Sequence, residues 1–399
     1  MRLAFVVQRY GASIAGGSEA HCRELAQRLA PAHDVTVLTT CATDYVTWAN
    51  ALPAGSSADG SVRVIRFPVR RARRMKRFAD ISDEVFDGGS PPERQAEWFR
   101  ENGPDAPGLL EYLAAHGRTF DLVVFWTFRY APSFFGVPIV QDRAVLVPTA
   151  EDDPAITLDV LEDYFRKPRG YLFLTPEEEA LVSARAGCRL EPAATVGIGL
   201  EPSSPGDRAL LARSDIPLEY VLYLGRVDRN KGCHTLFEYF EDYAVSPNAA
   251  TLVLAGPLTL QVPRHPRIKA LGYVSDEVRR ALLTHARALV VPSRYESLSI
   301  ALLEAWNHAV PALVNRDCRV LRGQVERADG GLSYRSSSEF REGLEYLMCR
   351  ADIRDAFGRH GLAYVDREYR WPIVLDRVES LLARARERGT NHRDTVSQR

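Results

Sequence analysis

The chain is short of the features that would place it outside the cytosol or on a metal. Its six cysteines, Cys22, Cys41, Cys188, Cys233, Cys318 and Cys349, are scattered, and none forms a C-x-x-C pair. That spacing excludes a zinc ribbon and a small disulfide framework, and the simplest compartment is a reducing one. No apolar run approaches the roughly 18 residues needed to cross a bilayer. The opening "MRLAFVVQRY" is too short an apolar run for a secretory signal. Charge of one sign is also missing: the formal net charge is −1, which argues against a general attraction to nucleic acid. What remains is ordinary for a soluble globular chain, 46% hydrophobic and 26% charged. At 399 residues it exceeds what one hydrophobic core usually supports, so two domains are expected.

The pattern along the chain is α/β and occurs twice. "LAFVVQ" (3–8) is a short apolar run of the kind buried on both faces of a parallel sheet. A glycine-bearing loop follows, then "SEAHCRELAQRLA" with helical spacing of Ala20, Leu25, Ala26 and Leu29, then the strand "DVTVLTT". This is the β-loop-α-β order of a doubly wound domain, continued by "FDLVVFWT" and "AVLVPTA". Near "VGIGLEPSSPGD" (196–207) glycine, proline and serine mark a linker. The series then restarts: "YVLYLGRV", "GCHTLFEYFEDYA", "ATLVLAGP", "ALVVPS", "SIALLEAWNH", "VPALVN". The expected division is 1–198 and 199–370, a closing helix over 371–388, and a tail over 389–399 whose lack of apolar residues predicts disorder.

Two stretches carry chemistry. "SRYESLSIALLEAWNHAVPALV" places Glu296 in a strand-to-helix loop and Glu304 eight positions on, about two turns into the helix. Ligands of open α/β sheets lie outside the carboxyl ends of the strands. A helix N-terminus there attracts anions through its free N–H groups and its dipole. A phosphate would meet the backbone of Leu298, Ser299 and Ile300, and a carboxylate nearby could accept the hydroxyl protons of a ribose. Spacing alone favours a simpler reading, a solvated loop acid at Glu296 and an exposed helix acid at Glu304. The second stretch, "GRVDRNKG" (225–232), follows a strand and would aim Arg226 and Lys231 at the same edge, where a departing diphosphate gathers negative charge. Gly225 would permit close backbone approach.

Together these motifs resemble the retaining glycosyltransferases of family 4, which have the GT-B fold. The carriers are Gly225-Arg226 with Lys231-Gly232, Glu296 with Glu304, the segment 271–297, "LAGPL" (254–258) and "GGSE" (16–19). The resemblance spans nearly the whole chain. It implies two Rossmann-like domains facing a central cleft, with a C-terminal helix closing back on the first. It implies a nucleotide-sugar donor, UDP- or GDP-linked, and no cofactor or metal. Arg226 and Lys231 would hold the diphosphate, Glu304 the ribose, Glu296 the transferred sugar, and Gly272 to Val274 the base. Gly16 and Gly17 would let the first domain's loop approach the phosphates. For "GGSE" a second use is a tight turn with Ser18 capping the helix. The sequence departs from the family at Leu298-Ser299, usually F-G, and at Ala309, usually glycine. It departs also at Glu151-Asp152 in "VPTAEDDPAI", where the family carries histidine-aspartate. Glu151 could replace that histidine near the transferred sugar, alter donor choice, or mark lost activity. Asp153-Pro154 reads as an N-cap and first-turn proline.

The function so implied is transfer of a sugar, with retention, to a glycan, a lipid-linked or a small-molecule acceptor in polysaccharide or glycoconjugate synthesis. Two other readings fit the residues: a sugar-nucleotide epimerase of the same fold, and an inactive relative serving as a binding or scaffold subunit. A nicotinamide dehydrogenase fits poorly, because the first loop lacks G-x-G-x-x-G. His21, just after "GGSE", is either a cleft residue or a packed helix histidine. One local asymmetry concerns partners: "VRVIRFPVRRARRMKRF" (62–78) holds eight Lys/Arg in seventeen positions with no acid. Through 63–77 it could dock on an anionic membrane or an anionic acceptor, or be a solvated loop, which implies a cytoplasmic protein, peripheral at the inner face of the membrane.

Overall fold

The computed structural model describes residues 1–14, 16–246 and 249–396. Two compact units divide the chain: Met1–Gly197 together with Leu375–Arg399, and Ile198–Val374.

The first unit is built on eight strands: β1 (Arg2–Val6), β2 (Asp34–Thr40), β3 (Gly55–Asp59), β4 (Val62–Phe67), β5 (Leu122–Trp126), β6 (Ala144–Val147), β7 (Gly170–Phe173) and β8 (Ala193–Thr195). Their order in the sheet is β3-β4-β2-β1-β5-β6-β7-β8. All neighbours are parallel except β3 and β4. The central β1 is apolar and buried from Leu3 to Val6; Ala4 pairs with Thr36 on one side and Val123 on the other. Its core gathers Val6, Leu38, Phe99, Phe125, Phe128 and Phe173. Strand β3 has no apolar or alternating signature in the sequence. "GSSAD" is polar and mostly exposed, an edge strand held by backbone pairing to β4 and by Arg23 and Gln27, which donate to Asp59.

The second unit has six strands: β9 (Tyr220–Leu224), β10 (Thr251–Ala255), β11 (Ile268–Gly272), β12 (Ala288–Val291), β13 (Ala312–Asn315) and β14 (Gly331–Tyr334). They run β11-β10-β9-β12-β13-β14, all parallel. The helix Cys233–Ala244 lays Leu236, Phe237 and Phe240 on the core with Leu252 and Phe340.

The last helix is longer than its sequence promised. It runs Trp371–Val396, where disorder was expected from 389. Its proline, Pro372, stands in the first turn, where no helical hydrogen bond is lost, and a helix already anchored by packing adds further turns without a new nucleation step. Residues 397–399 of the expected tail lie outside the described residues. Val378, Leu381, Leu382 and Ala385 are fully buried. The helix is tied to the first unit by Glu379, which lies 2.7 Å from His33 Nε2, and by Arg384, which donates to the Ala193 carbonyl at 3.0 Å.

Candidate active site

In the second unit the expected residues collect at the carboxyl edge of the sheet. Gly225 follows β9 with φ +145, and its amide donates to the Ala255 carbonyl at 2.9 Å. Behind it, Gly256 (φ +141) leaves no room for a side chain, since a Cβ there would meet the Gly225 carbonyl oxygen at 2.0 Å. The loop 226–231 is shaped by Asp228, which the motif reading passed over. One Asp228 oxygen accepts the Lys231 amide at 2.7 Å and the other pairs with Arg226 Nε. Asp228 thus folds the turn and orients the first cation. Its signal was present in the sequence, because aspartate two or three residues before the amide it accepts is a common turn former. Lys231 Nζ reaches Glu296 at 2.8 Å. Gly232 (φ +75) sits where a Cβ would strike the Pro292 carbonyl oxygen at 2.4 Å, so the loop packs against the end of β12.

Leu298 and Ser299 are buried, and Ser299 caps the helix Ile300–Asn307 by accepting the Leu302 amide at 3.4 Å. The serine that stands where the family has glycine therefore serves the helix start; its φ of −93 asks for no glycine. Glu304 lies just over one turn into this helix, not two, because the helix starts at Ile300. Its carboxylate is ion-paired with Arg279, from the helix Asp276–His285. Burial pushes its pKa up, against the pull of Arg279. Arg279 could not be found from spacing, since it lies 25 residues from its partner. Val274 is half-buried between Gly272 (φ +67) and the same helix, beside Tyr273, which is 79% exposed. So Arg226, Lys231, Glu296, Leu298, Ser299 and Ile300 share one edge, with Glu304 just inside it.

Gly16, Gly17 and Glu151 belong to the first unit. Gly16 is the N-cap of the helix Gly17–Leu29, in extended backbone (φ 167), and no side chain caps that helix. Ser18 is not the cap: it lies inside the first turn, donates to Glu19 at 2.9 Å and accepts from Gln8 at 3.1 Å. Glu19 is buried and takes Arg9 through Nε at 2.8 Å and Nη2 at 2.5 Å. His21 is a packed histidine. Its Nδ1 accepts from Trp126 Nε1 at 3.3 Å, and burial lowers its pKa to about 4.

Glu151 follows β6 and lies 3.9 Å from Arg129, whose main carboxylate partner is Asp153. Asp153 also caps the short 3-10 turn Pro154–Thr157, as its N-cap position suggested. Beside this loop, Thr127 (φ 63) and Thr149 (φ 47) hold left-handed backbone, rare for β-branched residues, and their hydroxyls are 2.9 Å apart. Such positions persist where the fold over-determines them, and they gather at working sites. Glu178, also missed, is fully buried and accepts the Ala150 amide at 2.7 Å and the Leu174 amide at 2.6 Å. It fastens the ends of β6 and β7 and sets the start of the Glu151 loop.

The basic stretch is not a free loop. Glu101, almost wholly buried, takes Arg71, Arg74 at 2.9 Å and Arg77 at 3.3 Å. Arg70 is 3.4 Å from Asp105, and Arg77 also pairs with Glu97. Among the described residues no group of three His, Cys, Asp or Glu is placed to hold a metal ion, and no helix is long and apolar enough to cross a membrane.

Residues 219–349 match the family model described as Glycosyl transferases group 1. No curated protein sequence matches the chain. Among solved structures, sucrose-phosphate synthase from Thermosynechococcus elongatus is 17% identical, with all of both chains covered and a TM-score of 0.69. Alpha,alpha-trehalose 6-phosphate synthase from Burkholderia multivorans is 15% identical, covering 100% of this chain and 98% of the other, with a TM-score of 0.69. Anabaena HepE in complex with UDP and glucose is 14% identical, covering 96% and 99%, with a TM-score of 0.68. The chain has the GT-B fold of these proteins.

Proposed function

We propose that this chain, which carries a glycosyl transferases group 1 domain over residues 219–349, is a retaining glycosyltransferase that takes its sugar from a nucleotide-sugar. The observation that carries the reading is the meeting of Arg226, Lys231 and Glu296 at the edge that ends in the Ser299-capped helix, all within that domain. Two cations and a helix N-terminus suit a leaving diphosphate. Glu304 and Glu296 suit hydroxyls of ribose and sugar. The acids hold Arg279 and Lys231. Donor binding would exchange those contacts, so that Lys231 turns to phosphate while Glu296 takes a sugar hydroxyl. Retention agrees with the glycosyl transfer described for trehalose-6-phosphate synthase, a protein of this fold.

UDP is the base we favour, because HepE, of the same fold, binds UDP and glucose. The acceptor we propose is a glycan, a lipid-linked or a small-molecule hydroxyl compound in glycoconjugate synthesis. Its hydroxyl attacks from the leaving-group face, with the departing phosphate taking the proton. Six free cysteines suit a reducing, cytoplasmic setting. Peripheral membrane contact through 63–77 is a weaker proposal, since Arg70, Arg71, Arg74 and Arg77 are engaged by acids of the same unit. Vesicles containing about 30% anionic lipid would retain the protein if that contact is used.

The test is thermal shift against UDP, GDP, TDP and ADP, with Arg226→Ala and Glu304→Ala alongside. A ligand that binds only the native state raises its stability by mass action. Stabilisation by one nucleotide, lost in both variants, supports the reading and names the base. No shift from any of the four sinks it. The pairing of Glu151 with Arg129, in place of the family's histidine, favours one second reading, a donor-binding subunit without transfer. Slow donor hydrolysis by the purified protein would exclude that subunit.

A further inference from the structure

We infer that the first unit holds an anion site built on Arg73 and Tyr130, and that the acceptor carries the phosphate or carboxylate that fills it. The second half of this inference rests on the transferase reading.

Arg73 differs from its neighbours in the basic stretch. Arg70, Arg71 and Arg74 have carboxylate partners, whereas among the described residues no carboxylate lies within ion-pair distance of Arg73. Its Nε donates to the Asn102 carbonyl at 2.9 Å, and its Nη2 to that carbonyl and to Asn102 Oδ1 at 2.9 Å. The guanidinium lies over two rings, Trp48 at 5.0 Å and Phe78 at 4.7 Å from their centroids. Nη1 donates to no protein atom among the described residues. A guanidinium hydrogen-bonded only to neutral groups is an incomplete arrangement, since burial disfavours its charge and only Asp44, beyond ion-pair distance, offsets part of that cost. Burial does lower the Arg73 pKa. An incoming oxyanion would complete it with charge-assisted hydrogen bonds.

The surroundings are fixed rather than loose. Asn102 is itself anchored, accepting from Trp48 Nε1 at 2.7 Å and donating to the Arg129 carbonyl at 2.8 Å. Trp48 holds left-handed backbone (φ 58), and Gly103 packs so closely that a Cβ there would lie 3.0 Å from the indole. Tyr130 stands edge-on to Trp48 at 5.3 Å. Its hydroxyl donates to no protein atom among the described residues, and the charges that act on it are Glu19, Arg129, Arg73 and Arg9. Arg9 and Arg129 have acids of their own, Glu19 and Asp153. Asp44, the remaining acid that faces Arg73, spends its oxygens on the turn at Val46 and Thr47. Among the described residues, Arg73 Nη1 and the Tyr130 hydroxyl are therefore donors left for a ligand. Tyr45, packed with Tyr130 against the Trp48 cluster and 5.6 Å from the Arg9 guanidinium, adds a further aromatic ring to this face.

The experiment is calorimetric titration of the full chain with inorganic phosphate, glucose 6-phosphate, glucuronate and uncharged glucose, each with and without UDP. Arg73→Gln, Tyr130→Phe and Arg226→Ala are run beside the wild type. At least one anionic probe should bind at one to one, with glucose far weaker. Arg73→Gln should weaken that binding about tenfold or more, and Tyr130→Phe by a smaller factor. Both should keep the stabilisation by UDP, and Arg226→Ala should lose UDP while keeping the anion. Phosphate and carboxylate arms tell the two sources apart. If Arg73→Gln does not fold, Tyr130→Phe and Arg73→Lys carry the test, since lysine keeps the charge and loses the fork. Absence of anion binding, or equal binding to the Arg73 variants, overturns the site. UDP binding with no anion binding removes this inference alone, and anion binding with no UDP binding removes the transferase reading, and with it the acceptor half of the inference, while the anion site stands.

Discussion

At the scale of single residues, two side chains that the motif reading passed over hold the loops of the candidate residues, one in each unit. Asp228 ties Arg226 and the Lys231 amide into one turn. Asp228→Ala should leave Arg226 and Lys231 in place chemically but unpositioned, weakening nucleotide binding by about tenfold, or 1.4 kcal/mol. Calorimetry with UDP checks this, and unchanged affinity would show that Asp228 only shapes the loop. Glu178 is the second. Burial, reinforced by Glu151, pushes its pKa up to about 8 against the pull of the amides it accepts. An unfolded glutamate loses its proton near 4.5, so between 4.5 and about 8 the folded chain holds more protons than the unfolded one. Stability therefore falls as pH rises through that window. Glu178→Gln removes the titration and leaves one amide without its acceptor, at about 1–3 kcal/mol. The variant should be less stable than wild type near pH 5, with the gap closing toward pH 8 in urea titrations. Parallel curves would refute the account.

At the scale of elements, the glycines of the two candidate loops are not equivalent. Gly256 and Gly272 both hold positive φ, but a Cβ on Gly256 would meet a backbone oxygen at 2.0 Å, whereas one on Gly272 meets nothing. Gly256→Ala should cost roughly 2–4 kcal/mol and disturb β9 and β10 together. Gly272→Ala should cost only the left-handed penalty of about 1–2 kcal/mol. Chemical denaturation of the two variants tests the difference, and equal losses would mean the Gly225 loop simply moves aside. Most of these elements were legible beforehand, because buried parallel strands leave an unbroken apolar run. The edge strand β3 was not, since its residues bury nothing. The Ser18 cap was misjudged because Gly16 takes the N-cap position and leaves Ser18 inside the first turn.

At the scale of the whole chain, the first unit is discontinuous. It is completed by residues from Leu375 onward, while Ile198–Val374 is one continuous segment. Ending the chain after Val374 should unsettle the first unit and spare the second. Val378, Leu381 and Leu382 are fully buried, each worth about 1.5–3 kcal/mol, and the Glu379 contact to His33 goes with them. The truncated protein should show an early unfolding step while keeping the transition stabilised by UDP. A single unchanged transition would mean the helix is dispensable.

The sequence by itself determined the repeated α/β order, the break near residue 197, and the residue types at the candidate edge. Apolar runs, glycines and charged motifs are local facts, and local facts survive in one dimension. Only the tertiary structure decided the partners: Arg279 for Glu304, Glu101 for three arginines, Asn102 for Arg73, the strand ends for Glu178. A carboxylate's charge and pKa depend on burial and on groups tens of residues away, and those distances exist only after the chain has folded.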